Sequence, residues 1–322
     1  MGARAALVGM LSAAGIVLSG CATLAPVAAP PAGYPVAGPI RRIPRTGHPV
    51  VVLALSGGVA HGFAHIGVLQ VLDEAGIRPD GIVGTSAGSV VGALYAGGLR
   101  GAALIQAALD LRRNQVIEFT FPDRGFINGQ RLQDYVDRRL NDRPIQRLQL
   151  PFVAVATDLR TGRLVAFTRG DTGMAVRASS SVPGVFQPLL LGGHEYVDGG
   201  LVSPVPVRVA RAMGADIVIA VDVTRQPDAV RSLSDTTSVV TQSIVVMEHA
   251  LAKNELAGAD VVIRPKLKGL PSTDFALRAE AIAAGEQAAQ AALPKIRALI
   301  AEKQRELYGC AGARRGRADA RR

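Results

Sequence analysis

Two glycine-rich turns constrain this chain most, because each separates a buried strand from a helix. Residues 50–55 are continuously apolar and mostly β-branched, as a strand covered on both faces must be. Ser56-Gly57-Gly58 breaks that run. Apolar residues at 63, 66, 69 and 72 then predict a helix over 63–75, which Gly76 ends. Gly81-Ile82-Val83 reads as a short strand leading into Gly84, and residues 87–96 as a second helix, ended by Gly97-Gly98. Strand 50–55, helix 63–75 and strand 81–83 make one βαβ unit. Such crossovers join parallel strands, so both strands end at one edge of the sheet and the two turns lie side by side.

The rest of the chain repeats the alternation. Further strands are expected at 152–157, 164–168, 217–223 and 261–263, and helices at 102–113, 131–140, 205–213, 238–257 and 276–306. This order predicts an α/β fold with a mainly parallel central sheet covered on both faces. No linker or internal repeat interrupts residues 48–308, which read as one domain. The chain is 48% hydrophobic and only 19% charged, which excludes a mostly disordered protein.

The turns carry the chemistry. Gly84-Thr85-Ser86-Ala87-Gly88 matches G-x-S-x-G in the strand–turn–helix setting that a nucleophilic serine needs. Ser86 would project its Oγ from a sharp turn, with the Ala87 N–H and the positive end of the next helix behind it. In the other turn, Gly57-Gly58-Val59-Ala60-His61-Gly62, Gly57 and Gly62 have the spacing of a phosphate loop. Phe63 stands where that loop requires lysine, so the phosphate reading is rejected. Free N–H groups beside Ser86 would instead face an oxyanion formed during attack on a carbonyl.

Several other residues compete for roles. His61 and His65 have a spacing that can share a metal, but no third ligand is apparent, so no metal or other cofactor is expected. His194 and Asp198 share a segment in an order unusual for a hydrolase triad, and a triad through His249 stays open on residue types alone. Asp158 and Asp222 each follow a strand and are edge carboxylates too. Asp198 is favoured among them because Gly199-Gly200 permits close backbone approach.

Taken together, Leu55-Ser56-Gly57-Gly58, the helix from Phe63, the Gly84–Gly88 elbow, the run from Ser179 to Pro188 and Asp198-Gly199-Gly200 resemble the patatin-like phospholipases over roughly residues 50–223. The resemblance implies a three-layer α/β/α patatin-like fold and a Ser–Asp dyad hydrolysing lipid acyl esters. It makes Ser86 the nucleophile, Asp198 the base, and Gly57, Gly58 and Val59 the oxyanion loop, joined by Ala87. Two positions depart from the family. Val59 replaces a usual third glycine, and its N–H serves only if φ there need not be positive. His61 replaces a usual Arg or Lys and is expected to modulate activity as a titratable cation.

The N-terminus reads as a processing signal. Arg4 is the only charge before Arg41, residues 5–17 are an apolar run too short to span a bilayer, and Leu18-Ser19-Gly20-Cys21 resembles a bacterial lipobox. Cleavage would leave Cys21 acylated. Residues 1–20 are then a lipoprotein signal peptide and 21–47 an Ala/Pro-rich tether reaching roughly 30–80 Å. Residues 309–322 form a basic C-terminal tail; Ala313 to Arg322 carry five Arg and one Asp. The chain bears a net +10, which favours anionic partners, here an anionic membrane surface. Nucleic acid is disfavoured, since Trp is absent and aromatics are 4%. The expected location is a bacterial cell envelope, with Ala22 after the cysteine suggesting the outer membrane if there is one. The leading function is a membrane-anchored lipid acyl hydrolase, of phospholipase A, lysophospholipase or esterase type. The alternatives are a thioesterase or acyltransferase using the same serine, or a silent lipid-binding lipoprotein. The residues leave the oligomeric state open.

Overall fold

The computed structural model describes residues 36–121, 124–229 and 233–319. Cys21, the signal peptide and the first part of the tether lie outside them. In chain order the elements begin β1 (Val36–Ala37), β2 (Val51–Leu55), α1 (Phe63–Glu74), β3 (Gly81–Thr85), α2 (Ala87–Ala96), α3 (Gly101–Leu109), α4 (Gln130–Leu140) and β4 (Phe152–Asp158). They continue with β5 (Leu164–Arg169), α5 (Thr172–Ser179), β6 (Leu189–Leu191), β7 (His194–Asp198), α6 (Val207–Ala212), β8 (Ile217–Val221), α7 (Thr236–Leu256), β9 (Val261–Ile263) and α8 (Arg278–Asp319).

The central sheet is mixed and mostly parallel. Strands β4, β3, β2, β8 and β9 lie side by side in that order, all parallel. The expected βαβ unit is present, with Leu55 at the end of β2 registered on Gly84 near the end of β3. Antiparallel strands extend the far side: β5 on β4, and β1 on β5. The hairpin β6–β7 and helix α5, all absent from the sequence expectation, complete the site region.

Alternate strand residues feed two cores. Leu53, Leu55, Ile82, Phe152 and Ile219 pack beneath the layer that contains α1, α2 and α8. Val52, Ala54, Val83, Val153 and Val218 face the opposite layer, with Val207, Val209 and Ala210 of α6 and Ala252 of α7. Each such valine, leucine, isoleucine or phenylalanine contributes about 1.5–3 kcal/mol when fully buried. Because neighbours in a strand serve different layers, a one-residue slip would exchange the two sets.

Two expected boundaries move. Residues 21–47 are not tether throughout, since the chain is held to the domain from Val36 onward. The Ile43 N–H donates to the Met213 carbonyl at 2.8 Å, and Ile40 and Ile43 pack against the second core. Arg45 pairs with Asp216. The physical reason is that these two isoleucines remove apolar surface from water against the core that includes Val207, Val209 and Ala210 of α6. At the other end, α8 runs to Asp319 and takes in most of the residues expected as a separate tail.

Helices α1 and α8 cross backbone to backbone at two glycines. A Cβ on Gly67 would collide with the Ile282 carbonyl oxygen, and one on Gly285 with that of Ala64. Alanine's helix propensity favours Gly285→Ala by about 1 kcal/mol. Backbone overlap cannot be relieved by a rotamer change, so overpacking of about 1–3 kcal/mol should prevail. Gly285→Ala is expected to lower the melting temperature by several degrees. An unchanged or higher value in a thermal melt would show that the helices part without cost.

Candidate active site

Ser86 sits between β3 and α2 in a conformation that L-residues rarely adopt, φ 52° and ψ −124°. Such backbone costs about 1–3 kcal/mol and persists where its surroundings over-determine it. Here the Ser86 N–H donates to Ser179 Oγ at 2.9 Å, and that hydroxyl donates to the Val155 carbonyl at 2.6 Å. The Ser86 carbonyl accepts from the N–H and the hydroxyl of Ser89, at 2.8 and 2.7 Å. The motif's two glycines are required by contact: a Cβ on Gly84 would strike the Gly88 carbonyl, and one on Gly88 the Leu55 carbonyl. The elbow is therefore pressed onto the end of β2.

Strand β4 brings the acid to the serine. Along one edge it pairs with β5 over residues 154–157. Its other edge therefore holds both β3, parallel, and β7, antiparallel. Thr85 is registered on Val155 and Asp198 on Ala156, the very next residue. The two strands thus meet end to end, and Ser86 and Asp198 lie at the junction. Asp198 is fixed by its own backbone, with its N–H donating to the Ser181 carbonyl at 2.9 Å and its carbonyl accepting from Thr157 Oγ1 at 2.8 Å.

The Asp198 carboxylate is 4% exposed. Its Oδ1 accepts from the Gly200 N–H at 2.7 Å, while Oδ2 is buried without a formed hydrogen bond. Burial pushes its pKa up to about 7, against a pull downward from the Ser86 hydroxyl. Glu248 adds a further upward push, and the Gly200 N–H and Arg225 smaller downward ones. The serine hydroxyl is thus close enough to act on the carboxylate, without a fully formed hydrogen bond between them, as is common without substrate.

Of the expected oxyanion donors, Gly57 is corrected. Its N–H donates to the Pro204 carbonyl at 3.0 Å, so it is spent on holding the turn. The N–H groups of Gly58, Val59 and Ala87 make no hydrogen bond to any described residue. The loop lies against the serine, since a Cβ on Gly57 would be 3.3 Å from Ser86 Cβ. Val59 does adopt a positive φ, 53°, so the condition set for it is not met and a β-branched residue is held in strain. His61 Nε2 donates to the Leu270 carbonyl at 2.9 Å, and the imidazole makes no hydrogen bond to Ser86 or Asp198.

The remaining candidates are placed elsewhere. His65 Nε2 donates to the Ser56 carbonyl at 2.9 Å, and its burial lowers its pKa to about 4, so it is a neutral anchor of the glycine turn. His194, at the start of β7, pairs with Asp158, at the end of β4, at 2.8 Å. Asp222 is bound to Arg264 and Thr224. His249 makes no hydrogen bond among the described residues. Sequence reasoning assigned no individual role to Ser179, although it lies in the quoted serine run, or to Glu248 and Arg225, which no local pattern marks.

Beside Ser86 and Ala87 opens an apolar cavity of about 160 Å³. Its wall includes Val91 and Leu94 of α2, Leu104 and Ala108 of α3, and Leu132 and Tyr135 of α4. Phe63 and Phe275 close another side, edge to face at 5.7 Å. A dry cavity of about 150 Å³ accepts a ligand the size of benzene, so this one has room for a stretch of hydrocarbon.

Val59 is 39% exposed, so truncating it loses little burial. Left-handed backbone costs a side-chain-bearing residue about 1–2 kcal/mol. The greater unfolded freedom of glycine offsets about 0.4–1 kcal/mol of that relief. Val59→Gly is therefore expected to melt at or above the wild-type temperature. A clear fall would mean that the valine side chain contributes packing that outweighs its strain.

Among solved structures, the crystal structure of VipD from Legionella pneumophila aligns with a TM-score of 0.45 at 15% identity, over 83% of this chain and 71% of that one. An uncharacterised NTE family protein of Mycobacterium bovis is 37% identical over 183 residues, 56% of this chain and 51% of the relative. Human patatin-like phospholipase domain-containing protein 6 is 36% identical over 186 residues, 55% of this chain and 14% of that protein. The chain thus spans about half the length of the mycobacterial relative. The family model for patatin-like phospholipase matches residues 53–211, which include Ser86 and Asp198. Through that domain this chain belongs to the patatin-like phospholipase family.

Proposed function

We propose that this protein is a serine acyl hydrolase acting on lipid esters, with Ser86 as nucleophile and Asp198 as its direct base. One observation carries the reading: a buried carboxylate with a pKa near 7 ends its strand opposite a strained serine at an apolar cavity. A serine hydroxyl attacks an ester only as a base removes its proton. A carboxylate serves when its pKa lies near the working pH.

The steps follow from the geometry. The acyl chain enters the cavity, which sets the ester carbonyl beside Ser86. Oγ attacks the carbonyl carbon while its proton passes to Asp198 Oδ2. Negative charge grows on the carbonyl oxygen, near the N–H groups of Gly58, Val59 and Ala87 and the positive end of α2. The protonated Asp198 then gives its proton to the leaving alcohol, and an acyl-serine remains. Asp198 next takes a proton from water as the water oxygen attacks the acyl carbon, and returns that proton to Ser86 Oγ as the acyl–serine bond breaks and the fatty acid leaves. Burial brings the base near neutrality; Glu248 adds to that upward push and Arg225 opposes it.

The lipid anchor is proposed on the sequence alone: cleavage before Cys21 and acylation of that residue, which intact mass of the mature protein would detect. Two or more acyl chains suffice for stable attachment to a membrane.

Fluorophosphonate labelling and turnover on phospholipid, lysophospholipid, short-chain ester and acyl-CoA test the reading. Ser86→Ala should abolish both. Asp198→Asn should slow both by about 10²–10⁴-fold. Wild-type turnover should rise as pH increases through about 7 and fade below it, as the base becomes protonated. Stability has the opposite sign. Folding raises this pKa, so ionising the carboxyl carries a stability cost that is absent below the ordinary carboxylate range, grows as pH rises and is complete above about 7. Asp198→Asn should therefore melt no lower than wild type, and higher at pH 8. Labelling of Asp198→Asn at the wild-type rate would remove Asp198 from the chemistry; no labelling of wild type would leave a silent lipid binder.

A further inference from the structure

Three of the chain's eight phenylalanines stand exposed within one short stretch: Phe119 at 72%, Phe121 at 87% and Phe126 at 54%. Full burial of such a side chain is worth about 1.5–3 kcal/mol. A chain with so few aromatics leaves three of them in water on one feature, and clustered exposure of this kind marks an interaction surface.

The feature is built into the wall of the cavity. Phe119 and Ile127 bridge antiparallel, and the Thr120 N–H donates to the Phe126 carbonyl at 2.9 Å. A third segment flanks them: the N–H groups of Phe126 and Ile127 donate to the Val185 carbonyl at 2.9 and 3.0 Å. The Ile127 carbonyl in turn accepts from the Gln187 N–H at 2.8 Å. Val182 and Phe186 of that segment line the cavity, as do Val116 and Ile117 just before Phe119. Val185 is itself 42% exposed, which extends the apolar rim. Cationic side chains border it: exposed Arg113 and Arg131 share a groove with Phe119 and Glu118, and the Arg113 guanidinium lies 5.9 Å from the centre of the Phe119 ring.

We propose that this aromatic rim docks the domain on the surface of an anionic lipid bilayer, placing the cavity mouth against the lipids. Phenylalanines at the edge of an apolar pocket fit the boundary between acyl chains and headgroups. The bordering arginines suit headgroup phosphates, and each basic group near a charged surface adds about 1 kcal/mol. The proposal rests on reading the cavity as an acyl-chain site, since a rim that docks on lipid is useful only if the pocket behind it takes lipid.

The chain has no tryptophan, so one introduced residue reports alone. Phe121→Trp in a Ser86→Ala background keeps the docking surface and prevents vesicle hydrolysis. Vesicles of phosphatidylcholine and phosphatidylglycerol should shift its emission to the blue, and brominated lipid should quench it. A Val246→Trp probe, on the exposed side of α7, should change far less, which separates docking by the rim from adsorption through the N-terminal anchor. Phe119→Ser, Phe121→Ser and Phe126→Ser combined should weaken vesicle binding by at least about tenfold with an unchanged melting temperature. Indole emission from the Phe121→Trp variant that ignores vesicles, or that shifts with protein concentration in their absence, overturns the proposal, the latter in favour of self-association. Because these readings use an inactive serine variant, their failure is distinct from failure of the hydrolase reading, which fluorophosphonate labelling decides.

Discussion

Everything at the site depends on two strands meeting end to end on β4. Strand β3 delivers a serine and β7 delivers an aspartate, and the pairings Thr85 with Val155 and Asp198 with Ala156 fix the gap between them. A slip of β7 by one residue would turn its side chains to the opposite face and remove the carboxylate from the junction. The supports are spread around this point. Ser179 and Val155 hold the elbow, Thr157 and Ser181 hold the end of β7, and Pro204 holds the glycine turn. The dry layers on both faces keep β4 itself in register.

The same packing sets the chemistry proposed for the pair. Removing a carboxylate from water favours its neutral form, which weakens the fold but strengthens the base. Glu248 reinforces this from α7. The site where a Gly200 Cβ would stand is 2.5 Å from Glu248 Oε1 and 3.1 Å from Asp198 Oδ1. The two carboxylates are therefore within the range of about 4–6 Å over which charges shift each other's pKa. Glu248 is raised by its own burial, and Arg225 acts on both groups as the opposing charge.

Much of this was legible in the residues, and the exceptions have physical causes. The parallel strands could be read because burial on both faces makes their runs continuously apolar, and the elbow because only glycine fits at 84 and 88. The hairpin β6–β7 could not: its strands are three and five residues long and carry His194 and Glu195, with no clear apolar alternation. Asp198 was therefore favoured by its neighbouring glycines and by family resemblance, while its register came only from the fold. Gly57 was misjudged because its hydrogen-bond partner, Pro204, is far away in sequence. The positive φ of Val59 runs against its residue type, and such mismatches collect at functional sites.

The most direct measurement is the titration of Asp198 itself. Infrared difference spectra between the wild type and Asp198→Asn, followed across pH, would isolate its carboxyl band. The expected midpoint is about 7, moving lower in Glu248→Gln as the neighbouring negative charge is removed. A carboxyl that titrates in the ordinary aspartate range near about 4, unmoved by Glu248→Gln, would contradict its role as the base that activates Ser86.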